Sequence, residues 1–277
     1  MADANQGMPE IQGTLPLYKR PEPLNVQMHR GKGLKYGDRP FDFLNETHFV
    51  PITIGELATA SAHYPVVFLG PNYLPVAVMG LRPGENLFVD PATGTFEQYR
   101  YLPAFVRRYP FVAASHPDDA DRFTVCVDAA SHLMSDNPDQ PFFNDAGEPT
   151  PFMQNAIDFV RGFETDVTAT NIMIKRFREL DLFEEQTTRF QPRNAQGEPE
   201  GEAIVIATYW GISNDKVRAL SGDVLMELRD NAFLSVIYAH MFSQSHWELI
   251  LNRASLRRQG ANPAPASGTM APPPPEA

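Results

Sequence analysis

Residues 53–79 read TIGELATASAHYPVVFLGPNYLPVAVM, and the fold class turns on this stretch. Thr53 is a good helix N-cap, and Glu56 three residues later completes a capping-box pattern. A helix is expected over Ile54–His63. Val66-Val67-Phe68-Leu69 is a short apolar run bounded by Pro65 and by Gly70-Pro71, the pattern of a buried strand. Val76-Ala77-Val78-Met79 reads as a second strand. A helix feeding two short strands through tight punctuation points to an α+β fold.

Working outward, Leu87-Phe88-Val89 after the Arg82-Pro83-Gly84 turn and Phe123–Val127 are predicted as further strands. A second helix over Leu102–Tyr109 puts Leu102, Phe105, Val106 and Tyr109 on one face and stops before Pro110. Ala114–Arg122 is polar, carries the turn signal Pro117-Asp118-Asp119, and reads as a loop. Beyond it, Thr150 can cap a helix that begins at Pro151. Phe152, Ala156, Phe159, Phe163, Val167, Thr170, Ile174 and Phe177 then recur at three- and four-residue intervals, so a long amphipathic helix should end near Asp181. Phe190 and Ala203–Trp210 flank the loose segment Asn194–Gly201 and predict a β-hairpin. Helical segments are expected over Asp223–Leu228 and from Ala232 to about Leu256. No linker separates the halves. The expectation is one α+β domain over 14–256, β-rich over 14–145 and mainly helical over 150–256. Residues 1–13 should be flexible. Residues 259–277, rich in Pro and Ala, should form a disordered tail serving as a spacer.

Composition narrows the function. The chain has 277 residues, with 34 Asp plus Glu against 23 Lys plus Arg, a net charge of −11. So acidic a surface repels phosphate backbones, and nucleic acid is not an expected partner. The single cysteine, Cys126, excludes an internal disulfide and a cysteine-rich zinc site. No apolar run approaches the roughly 20 residues that span a bilayer, and no secretory signal is evident at Met1. The expected compartment is the cytoplasm.

Several phrases jointly resemble the SapC-like family, bacterial proteins named after a protein associated with S-layer export. They are ELATASAHYPVVF (56–68), GLRPGENLFVD (80–90), YLPAFVRRYPF (101–111), FTVCVD (123–128), FRELDLF (177–183) and the region 216–228. The likeness covers roughly residues 14–255. It brings no catalytic residue set with it. What it implies is an association with S-layer or envelope-protein handling.

Among individual residues, Arg107, Arg108 and Tyr109 form the most suggestive cluster. Guanidiniums at a helix C-terminus suit the macrodipole, and their forks fit carboxylates or phosphates, so these three are the candidate binding residues. The plainer alternative is a helix-stabilising pair of arginines. Asp90 and Asp128 each close a predicted strand. Adjacent strands would bring both carboxylates beside Arg107 or Arg108 for acid–base work, which makes them the catalytic candidates. Aspartates at strand ends also serve turns. His116-Pro117-Asp118 imitates part of an iron triad but falls in the expected loop. His240 and His246 are six apart and do not stack on one helix face. No metal site and no cofactor are expected. Cys126 reads as a buried thiol, and the aromatics of the first half, Tyr64 to Phe111, read as core. Two functions follow. The first is a non-catalytic accessory or binding protein with a protein or peptide partner. The alternative is an enzyme acting on a peptide or small molecule through an Asp/Arg site. Homo-oligomerisation stays open.

Overall fold

A computed structural model describes residues 17–116, 119–191, 198–199 and 201–258. The expected flexible N-terminus (1–13) and the Pro/Ala-rich tail (259–277) lie outside them. The strands are β1 (Pro21–Pro23), β2 (Gly33–Leu34), β3 (Phe49–Pro51), β4 (Val66–Leu69), β5 (Leu74–Val78), β6 (Phe111–His116), β7 (Asp119–Asp128), β8 (Met134–Ser135), β9 (Gln140–Pro141), β10 (Phe183–Phe190) and β11 (Ile204–Ile212). The helices are α1 (Val26–His29), α2 (Ile54–Ser61), α3 (Ala104–Arg107), α4 (Pro151–Glu179), α5 (Asn214–Arg218), α6 (Gly222–Asp230), α7 (Phe233–Ser243) and α8 (Trp247–Arg258). The class is α+β with a helical C-terminal half, as the sequence predicts.

The central sheet is antiparallel, in the order β10-β11-β4-β5-β3. The predicted hairpin of the second half therefore extends the sheet begun by the first, with Trp210 paired to Phe68. Strand β4 is buried on both faces, which is why its sequence is continuously apolar rather than alternating. Val66, Phe68 and Ala77 face the main core. On the other face Val67, Val76 and Val78 pack with Tyr209 and Trp247 at the start of α8. Two smaller sheets flank this one, β1-β7-β6 and β8-β2-β9. The main core draws on both halves of the chain, from Leu34 and Phe41 to Ile250 and Ala254.

The starts of α2 and α4 are those expected. Thr150 accepts a hydrogen bond from the Met153 amide at 3.2 Å, with Pro151 as the first residue of α4. Glu56 accepts from the Thr53 amide at 3.2 Å at the start of α2. Two expectations are corrected. Leu87–Val89 forms no strand, only an isolated bridge from Val89 to Phe96. Its backbone is satisfied otherwise: Arg253 of α8 donates to the Leu87 carbonyl, and Arg257 donates to the carbonyls of Asn86 and Val89. Residues 114–122 are not a loop. Apart from 117 and 118, which lie outside the described residues, they form the end of the β6–β7 hairpin, where His116 pairs with Asp119. Among the described residues, no helix is long and apolar enough to cross a membrane.

Candidate functional site

Glu56 stands on the first turn of α2 and is buried. Besides the Thr53 amide, its carboxylate accepts the Ala104 amide at 2.7 Å and the Tyr101 hydroxyl at 2.9 Å. One side chain therefore caps α2 and also receives the first residue of α3. Burial pushes the Glu56 carboxyl above its ordinary value, opposed by these three donors and by nearby Arg107. Tyr101 is pushed up to about 12, chiefly by burial and then by the Glu56 charge, so its phenol stays protonated and donates.

Arg107 closes this cluster from outside. Its Nε donates to the Leu102 carbonyl at 3.1 Å, and Nη2 donates to the Tyr101 hydroxyl at 3.3 Å. The guanidinium lies 5.0 Å from the Phe159 ring of α4 and 5.9 Å from the Tyr101 ring. Arg107 is half-exposed, and its Nη1 has no partner among the described residues. The result is a cation oriented in advance on an aromatic bed, with one edge free for an anionic group.

Its neighbour turns the other way. Successive helical residues point about 100° apart, and Arg108 faces the core at 5% exposure. It sits 4.2 Å from the Phe163 ring and 4.5 Å from Phe105, with Nη1 3.3 Å from Glu164. Burial raises the Glu164 pKa, opposed by Arg108. Tyr109 is also buried, stacked 4.0 Å from Phe43, and its hydroxyl donates to Asp128 at 3.3 Å. Of the three candidate binding residues, Arg107 is the one a partner can reach.

Asp128 is fully buried at the end of β7. Its oxygens accept the amides of Lys19 (3.0 Å), Arg20 (2.8 Å) and Ala130 (3.1 Å) in addition to the Tyr109 hydroxyl. Asp90 lies in a turn closed by Thr95 and accepts the Ala92 amide at 2.8 Å. The two aspartates share no bonded partner among the described residues. The structure thus joins Asp128 with Tyr109, and Arg107 with Glu56 through Tyr101.

Sequence reasoning took Glu56 only as a cap and Tyr101 only as core. The signal for more was the YRYLP stretch at 99–103, which packs two tyrosines and an arginine beside the helix that carries Arg107. The core reading of the aromatics fails at Tyr99, which is 79% exposed and held at a φ of 63°. A tyrosine in the left-handed region carries strain of order 1–3 kcal/mol, which the surrounding structure must sustain. Cys126 is buried, and burial pushes its thiol up to about 11, away from nucleophilic character. Among the described residues no group of three or more His, Cys, Asp or Glu can hold a metal ion.

Searches among curated proteins and among solved structures found no match. The model of the SapC family does match, over residues 24–249, a span that contains Glu56, Tyr101, Arg107 and Asp128. With more than half its length inside that match, the chain belongs to the SapC family.

Proposed function

We propose that this chain is a non-catalytic accessory or binding protein that engages a protein or peptide through the surface around Arg107, in S-layer or envelope-protein handling. The observation that carries the reading is the preset guanidinium: two of its nitrogens are anchored, its plane rests near Phe159, and its remaining edge is free. Arginine and tyrosine are the side chains that dominate protein interfaces. Tyr99, exposed two residues before Tyr101, supplies a second contact on the same segment. The complementary group on the partner is a carboxylate, from an acidic side chain or a chain terminus. The envelope connection rests on family membership alone. An enzyme reading needs Asp90 and Asp128 in one site, whereas Asp128 already serves four donors.

The test is capture from the source lysate with the tagged chain and with Arg107→Ala, followed by affinity measurement on the protein recovered. Arg107→Ala should remain folded and weaken binding roughly tenfold or more. Arg107→Lys, which keeps the charge but loses the fork, should fall between. Undiminished binding by folded Arg107→Ala sinks the placement.

A further inference from the structure

A cleft of about 180 Å³ opens beside the β8-β2-β9 sheet. Strand β2 pairs antiparallel with β8 in the register Gly33↔Ser135 and Leu34↔Met134. Lys32 and Asp136 flank these paired strands, and both line the cleft with Met134. Here neither Lys32 nor Asp136 has an ion-pair or side-chain hydrogen-bond partner among the described residues. A cation and an anion thus line one cleft, each without a side-chain partner among the described residues.

The other charges around the cleft cancel. Arg20 is paired with Glu22 at 2.9 Å. His29, 2% exposed, has its Nδ1 at 3.1 and 3.3 Å from Asn25 backbone groups and also lines the cleft. Met28 and Met134 supply an adaptable apolar wall. The frame is rigid where it matters. A Cβ on Gly33 would lie 2.1 Å from the Gln140 carbonyl, so only glycine lets β2 sit this close to β9. Two further lining residues, Arg20 and Ala129, are held in place by Asp128, which accepts the amides of Lys19, Arg20 and Ala130. Asp128 is thus a positioning residue for this cleft.

We propose that the cleft binds a small zwitterion, a free α-amino acid, with its carboxylate toward Lys32, its ammonium toward Asp136 and its side chain against the methionines. A ligand of one charge leaves either Lys32 or Asp136 unmatched; a zwitterion satisfies both. The size agrees. The space is below the 300–1,000 Å³ of pockets for drug-sized ligands.

The experiment is calorimetric titration of the full chain with each of the twenty L-amino acids, with acetate and butylammonium as single-charge controls. At least one amino acid should bind with a Kd of about 1 mM or tighter, and both controls at least tenfold more weakly. Lys32 and Asp136 are exposed, so Lys32→Ala and Asp136→Ala should fold normally and each weaken that binding tenfold or more. Lys32→Gln and Asp136→Asn serve as substitutes if either alanine variant is unstable. The proposal is overturned if no amino acid binds, if acetate or butylammonium binds as well as the amino acid, or if the variants bind undiminished.

Discussion

His240 shows how much one side chain can tie together. Its Nε2 accepts the Ile212 amide at 3.1 Å, and its Nδ1 lies 2.9 Å from the Val66 carbonyl. The ring is therefore neutral, with the proton on Nδ1, and it bridges α7 to β4 and β11. Burial lowers its pKa from 6.5 to about 4, against the Val66 bond that favours the charged form. Because the folded value is the lower one, the unfolded chain binds the extra proton between pH 4 and 6.5, and stability falls as pH drops through that window. The expected loss is about 3 kcal/mol, measured by urea denaturation at a series of pH values. His240→Gln should flatten the pH dependence in that window. A slope unchanged by the substitution would assign it to other groups. None of this was legible in the sequence, where His240 could only be tested against metal-ligand spacing. Its partners, Ile212 and Val66, are 28 and 174 residues away.

At the scale of elements, what was legible was whatever local chemistry sets. The start of α4 rests on Thr150, whose hydroxyl accepts the Met153 amide and donates to the Pro141 carbonyl at 2.6 Å. Thr150→Ala should cost about 1 kcal/mol of stability, and Thr150→Ser should restore most of it, as read from denaturant midpoints at constant slope. If the alanine variant is as stable as the parent, Pro151 and helix packing carry the start without the cap. The Leu87–Val89 segment shows the opposite case. Its apolar pattern is that of a strand, yet the Leu87 and Val89 carbonyls bond to arginines of α8. A pattern of burial identifies a buried extended segment but not its hydrogen-bond partner. The same limit applies to Arg107 and Arg108. The sequence offered them as a pair, and the helical rotation between them sends one to the surface and the other among Phe105 and Phe163.

Across the whole molecule the two halves interlock. Strands β10 and β11 from the second half lie in one sheet with β4, β5 and β3 from the first, and Trp247 of α8 covers the outer face of that sheet, where its indole donates to the Tyr209 hydroxyl at 3.1 Å. Thermal unfolding of the full chain should therefore give a single calorimetric transition, and fragments 14–145 and 150–256 expressed separately should lack the native circular dichroism signal. Two resolved transitions, or a native-like fragment, would show that the halves are independent. The sequence by itself determined the helix starts at Thr53 and Thr150, the apolar runs of β4 and β5, the α+β class and the family likeness. Each of these depends on residues within a turn or two of one another or on a recognisable phrase. The tertiary structure alone decided that the hairpin completes the first half's sheet, that Asp128 and Asp90 have separate partners, that Glu56 reaches Arg107 through Tyr101, and that Lys32 and Asp136 line one cleft. Those contacts join groups far apart along the chain, and their energies depend on burial and orientation, which exist only once the chain has packed.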